Sequence, residues 1–193
     1  MTRIHLHETA LATALVKLAR RSSRSGLSAV DRYLWLQSRL HERNIASDPE
    51  YQRRFNGYYR VRRNAGWRHQ FYGLLEQEKH RTPSLQSVLR TIYENTDQIE
   101  GSFASKLLAT VVPSEPVIDS VVLDNLKLAL PRSGHSDARI NGIVRIHEQI
   151  KQAFTDFLQS EGGPELTARF SAQFPQASVT EMKMLDLVLW QTR

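Results

Sequence analysis

Two residues in this sequence have the type and the setting for covalent chemistry, Lys106 and Asp119. Lys106 is the only charged residue between Ser102 and Val112. Phe103, Ala104, Leu107, Leu108, Val111 and Val112 surround it, and a helix apolar on most of its circumference is a buried one. A lysine there either snorkels its ammonium to the surface or sits in a partly desolvated pocket. Desolvation lowers the pKa of an amine and frees its lone pair for nucleophilic attack or Schiff-base formation. Asp119 comes thirteen residues later, where Ser120, Val121, Val122 and Leu123 begin another helix. At that position it is an N-cap, a role that stabilises a helix by about 1 kcal/mol. Backbone N–H bonds from that role are expected to keep its carboxylate ionised. A carboxylate held rigidly at a helix start can also face a cleft.

Pro113 and Pro116 separate the two residues. They stop the first helix and hold residues 114–117 extended. The stretch 101–130 therefore reads as a buried helix, an extended link and a second helix, with one candidate group on each helix.

A second feature lies upstream. The window Arg53–Arg81 holds eight Lys or Arg residues against two acids, a net of +6 that equals the formal charge of the whole chain. Phe55, Tyr58, Tyr59, Trp67, Phe71 and Tyr72 interleave with the cations. Basic side chains neutralise phosphates and aromatic rings stack on exposed bases, so the mixture suits nucleic acid. Arg53, Arg54, Arg60, Arg62, Arg63 and Arg68, with Arg132 further on, are the expected backbone contacts. Trp67, Phe71 and Tyr72 are the expected walls of a base pocket. The competing account makes the aromatics core residues and the arginines a solvated rim. His147 falls in the apolar stripe of its helix, between Ile143 and Ile150, and reads as a satisfied core histidine.

The elements that must position these groups are helical. Apolar periodicity predicts helices over about 8–21, 29–42, 67–79, 85–95, 137–160, 165–173 and 179–191, with a short one after Pro49. Gly26 is a plausible C-cap; Ser28, Ser47 or Asp48, and Ser136 are expected N-caps, and Ser178 with Glu181 matches a capping box. Tyr59–Arg62 alternates briefly, too short a run to establish a sheet. About nine helices and no convincing strand pattern give an all-α fold. At 193 residues the chain is expected to form one domain, with residues 1–26 a peripheral N-terminal helix. The arginine- and serine-rich start also fits a mitochondrial transit peptide, although a docked amphipathic helix explains the same residues.

Several classes are excluded. With no cysteine there are no disulfides, iron–sulfur clusters or thiol nucleophiles, which is compatible with a reducing compartment. No apolar run approaches the ~18 residues of a membrane span. The histidines show no metal spacing, and phosphate-loop, dinucleotide and zinc-protease motifs are absent. No cofactor or metal is expected. The expected partner is DNA and the expected location cytoplasmic, on the nucleoid if the source is prokaryotic.

The lysine-bearing apolar helix, the short link and the run Pro116-Val117-Ile118-Asp119-Ser120-Val121-Val122 resemble the catalytic segment of the helix–hairpin–helix DNA glycosylases. The likeness covers about residues 99–130, and the ending Met184–Trp190 is similar to that of small proteins with a glycosylase-like fold. It implies that Asp119 assists base expulsion and stabilises the cationic sugar. It implies that Lys106 attacks the sugar carbon, as in members that also cleave the strand. The chain departs from the pattern in two places. Its hairpin, Ile99-Glu100-Gly101-Ser102, has one glycine and an acid, and the lysine–aspartate spacing is several residues short. The alternative is a non-catalytic helical module that binds nucleic acid or an acidic protein.

Overall fold

Side chains cap most of the helix starts, and those caps set the architecture. The computed structural model describes residues 3–23 and 25–192. Among them are ten helices and no strand: α1 Glu8–Ala19, α2 Ala29–Leu40, α3 Pro49–Tyr59, α4 Ala65–Glu78, α5 Leu85–Thr96, α6 Gly101–Val111, α7 Ser120–Leu126, α8 Ser136–Leu158, α9 Gly162–Gln173 and α10 Glu181–Trp190. The all-α expectation holds, in one compact domain. No helix of the described residues is long and apolar enough to cross a membrane.

Ser28 caps α2 in a reciprocal box with Asp31, Asp48 accepts from Glu50 N and Tyr51 N, and Asn64 accepts from Trp67 N. Each satisfies amides that a helix start otherwise leaves without a partner. The Asn64 cap starts α4 at Ala65, earlier than periodicity predicts. Other boundaries also differ. α1 stops at Ala19, and Gly26 serves a turn at φ 66° rather than a helix end. Ser136 is the first residue of α8, and His135 precedes it without a side-chain cap bond. The Ser178–Glu181 box does not form. Thr180 caps α10 instead, accepting from Lys183 N while its hydroxyl donates to the Pro113 carbonyl. Gly162, Gly163 and Pro164 open α9 rather than precede it, since a proline in the first turn breaks no helical bond. At Gly163 any Cβ would lie 2.0 Å from the Leu158 carbonyl oxygen, so only glycine allows α8 and α9 to join there.

α10 is the middle of the molecule. Met184, Leu185, Leu187, Val188 and Leu189 are all buried, and the helix packs on α1, α7, α8 and α9. α1 is not peripheral: Leu11, Ala14, Leu15 and Leu18 are buried and it packs on α2, α9 and α10. α5 packs on α4, α6 and α8. An aromatic cluster joins α3 to α4: Phe55 lies 5.7 Å from both Phe71 and Tyr72, and Trp67 stacks on Phe71 at 5.1 Å. Tyr59 ends α3, and Arg60 after it is left-handed at φ 56°. That conformation costs a non-glycine L-residue about 1–2 kcal/mol, and it turns the chain out of the helix. The short alternation at 59–62 is thus a helix end and a loop.

Candidate functional site

The link between α6 and α7 is tied down at both proline carbonyls and at two successive amides. The Pro113 carbonyl accepts from Thr180, and His147 Nε2 bonds the Pro116 carbonyl at 3.0 Å. Val117 N donates to Asp186 Oδ1 at 3.4 Å, and Ile118 N donates to Ser105 Oγ at 2.9 Å. Asp119 Oδ1 then accepts from Val122 N at 2.8 Å and starts α7. α6, α8 and α10 thus all hold one extended segment, and the carboxylate at its end has little freedom. His147 is the core histidine expected of it. Burial pushes its imidazole below the ordinary range, which suits a neutral ring donating to a carbonyl. Glu115, beside it, is bonded by Lys151 at 2.7 Å.

This segment forms one wall of a cavity of about 390 Å³. Lys106 lines it from α6, and Asp119, Ser120 and Leu123 from the start of α7. Tyr58, Tyr59 and Arg60 line it from the end of α3, and Lys183, Asp186, Leu187 and Trp190 from α10. The two chemically marked residues therefore share one cavity, with aromatic rings and an arginine in its walls. Tyr58 and Trp190 meet edge to face at 5.6 Å, and the Arg60 guanidinium lies 5.8 Å from the Trp190 ring.

Lys106 does not snorkel free. Its Nζ donates to the Tyr59 carbonyl at 3.2 Å and lies 5.0 Å from the Phe103 ring centre. Burial lowers its pKa, against the opposing pull of Asp119 and Asp186. Asp119 is pushed the other way. Burial raises its carboxyl above the ordinary range, the Val122 N–H bond opposes this, and Asp186 adds to the rise. The backbone amides of Val122 and Val121 do not win, because they offset only part of the desolvation of a mostly enclosed carboxylate. A lowered amine and a raised carboxyl thus line one cavity, and perturbed groups gathered in a cleft mark a candidate functional site.

No family model, no curated protein and no solved structure matches this chain. The chemistry of the cavity is therefore read from its own residues.

The expected nucleic-acid residues divide. Arg60 alone lines the Lys106–Asp119 cavity. Arg62 and Arg63 line a separate polar cleft of about 400 Å³ with Asn64, Gln70, Asn95 and Gln98. Arg63 is bonded to Glu100 and lies 5.4 Å from the Phe103 ring. Arg54 pairs with Glu50 at 3.0 Å and lies 4.2 Å from the Trp35 ring. Arg53 and Arg132 are exposed and Arg68 is half-buried, with none of the three lining these cavities. Trp67, Phe71 and Tyr72 are 6%, 1% and 0% exposed. Phe71 and Tyr72 form core, and Trp67 has one edge on the Arg62–Arg63 cleft; none of the three lines the Lys106–Asp119 cavity, whose aromatic walls are Tyr58, Tyr59 and Trp190. The physical reason is the apolar stripe of α4, which turns its rings towards Phe55.

Gly101 is not a gap left for an anion either. A Cβ there would come within 3.0 Å of Ile143 Cγ2, so the glycine serves the contact of α6 with α8.

Sequence reasoning missed Lys183 and Asp186. They are 1% and 9% exposed, and Lys183 Nζ donates to Asp186 Oδ2 at 2.6 Å. Burial opposes the ammonium, yet the Asp186 carboxylate outweighs it and holds Lys183 well above the ordinary lysine range. This amine is locked as a cation, whereas Lys106 is loosened. The signal was available: two opposite charges three apart in the otherwise apolar run Met182–Trp190 obey the logic applied to Lys106.

Proposed function

We propose that the chain is a glycosylase-like enzyme of base excision, acting on a nucleotide swung out of DNA into the Lys106–Asp119 cavity. One observation carries the reading: a lysine with a depressed pKa and a rigidly held carboxylate line the same nucleotide-sized cavity. A glycosidic bond inside a base stack is out of reach, so the nucleotide must be extruded first. The ring walls offered by Tyr58 and Trp190 suit a flat base, and Arg60 at the rim suits its phosphate.

The C1′–N bond of the target breaks and its electron pair leaves with the base, which takes up a proton. Asp119, fixed before the reaction begins, stabilises the positive charge on the sugar. Neutral Lys106 forms the new C1′–N bond and gives its surplus proton to the raised Asp119 carboxylate, which hands it on to the departing base. Ring opening to a Schiff base and loss of the 3′-phosphate then cleave the strand. These steps use side chains only. Such an enzyme would work on the chromosome, in a prokaryotic cell at the nucleoid.

The test is borohydride reduction of the protein with duplexes carrying damaged bases or an abasic site. A covalent adduct is expected with the natural sequence and none with Lys106→Ala. Asp119→Asn keeps an N-cap of similar strength, so the fold survives. It should lose base release while keeping affinity for the duplex. Unimpaired base release by Asp119→Asn would overturn the assignment.

The bond of Lys106 to the Tyr59 carbonyl and the capping bond of Asp119 favour a second reading, a binding module without catalysis. Under that reading no duplex gives an adduct, and both variants bind as the natural protein does.

A further inference from the structure

A second cleft adjoins the first cavity, and its chemistry is different. It encloses about 310 Å³. Lys17 and Arg20 reach it from the end of α1, Arg32 from α2 and Arg60 from the turn after α3. Trp190 and Gln191 close it from the end of α10. Four cations from three parts of the fold converge there, and no carboxylate of the described residues lines it. Arg20, Arg32 and Arg60 make no ion pair with any described residue, and like charges gathered this closely raise the local positive potential.

Three of the four cations are also held in place. Lys17 Nζ donates to the Gln191 carbonyl at 3.0 Å. Arg32 Nε donates to the Ser28 carbonyl at 3.3 Å, and its guanidinium lies 5.8 Å from the Tyr58 ring. Arg60 lies against Trp190. A positioned guanidinium presents its donors as a fork that matches phosphate oxygens. By contrast, the Arg62–Arg63 cleft has one of its arginines already paired with Glu100, and the α5–α6 turn carries Asp97 and Glu100.

The two spaces share three lining residues, Tyr58, Arg60 and Trp190. A molecule with its sugar and base in the first cavity therefore has the second as its neighbour. We propose that this cleft of Lys17, Arg20, Arg32 and Arg60 binds the phosphate that adjoins the sugar held beside Lys106 and Asp119. The proposal rests on the nucleotide reading of the first cavity, but not on catalysis there. Such a phosphate belongs either to a free nucleotide or to a strand. The cleft adds α1 and α2 to the substrate site, both outside the arginine-rich window.

The test uses a fluorescein-labelled single-stranded oligonucleotide with one abasic site, and anisotropy at increasing potassium chloride. Arg20→Gln/Arg32→Gln, at two positions outside the first cavity, should bind roughly tenfold more weakly or worse, the scale of one charge-assisted hydrogen bond. The slope of log affinity against log salt should flatten by about 0.7 for each phosphate left without its cation. Arg145→Gln, exposed on α8 and lining neither space, should change neither. Arg20→Gln alone, at an exposed side chain, gives a milder form of the same effect if the double variant folds poorly. Equal affinity and equal slope in these variants overturn the proposal, whether or not borohydride traps an adduct. Loss of affinity without any adduct in the natural protein leaves the cleft standing and removes the glycosylase reading. A deoxynucleoside 5′-monophosphate that displaces the oligonucleotide assigns the cleft to a terminal phosphate. Failure to displace it, with the variants still impaired, assigns it to the phosphodiesters of a strand.

Discussion

Lys106 and Asp119 are shifted in opposite directions by the same cause, the removal of water from a charged group. For each, that shift is also a statement about stability. Between the depressed value of Lys106 and the ordinary lysine value, the unfolded chain binds more protons than the folded one, so stability rises with pH through that window. Asp119 runs the other way. Its raised pKa favours the folded state below the ordinary carboxylate value, and that advantage fades as pH climbs through the raised one. Lys106→Met should therefore stabilise the protein at neutral pH by about 1 kcal/mol, since a half-buried methionine needs no hydration. It should also remove the alkaline rise in stability. Urea melts across the alkaline range check both points, and a less stable variant would mean that the Lys106–Tyr59 bond outweighs desolvation. Adduct formation should grow as pH rises through the depressed Lys106 value, because only the neutral amine attacks.

At the scale of the element, α10 carries a buried ion pair. The Lys183–Asp186 pair sits inside a helix whose other faces pack on four neighbours. Removing one partner of such a pair strands the other charge in a low-dielectric setting, at a cost of about 3–5 kcal/mol. Lys183→Met should lower stability by that much in a denaturant titration. Asp186→Leu together with Lys183→Met should recover most of it, less the bond that Val117 N makes to Asp186. A double variant no more stable than the single one would show that Lys183 acts through packing rather than charge. The existence of α10 and its burial were legible in its apolar run. The partnership of Asp186 with the α6–α7 link was not, because sixty-nine residues separate Asp186 from Val117.

At the scale of the whole molecule, the two ends of the chain share one core. α1 packs on α10, and α2, which follows α1, packs on α3. Trp35 on α2, Trp67 on α4 and Trp190 on α10 report from different parts of that core. Tryptophan fluorescence and far-ultraviolet dichroism should therefore follow one coincident unfolding transition. Separate transitions would mean that α1 and α10 open before the aromatic cluster of α3 and α4. The proposed substrate site depends on the same closure. Its cavity and the adjoining cationic cleft are assembled from α1, α2, α3, α6, α7 and α10, so local loosening of α1 would open the cleft while sparing the link.

The sequence by itself determined the helices, because apolar spacing and capping side chains act over a few residues. It determined that Asp119 starts a helix and that Lys106 has an apolar setting, for the same local reason. Tertiary structure decided which aromatic rings line the cavity. Trp67, Phe71 and Tyr72 are as aromatic as Tyr58, Tyr59 and Trp190, and only the packing of α4 against α3 separates core from wall. It also decided that Lys17, Arg20 and Arg32 stand beside Arg60. Charge density along a chain says nothing of cations brought together across a fold, since proximity there is set by burial of the helices that carry them.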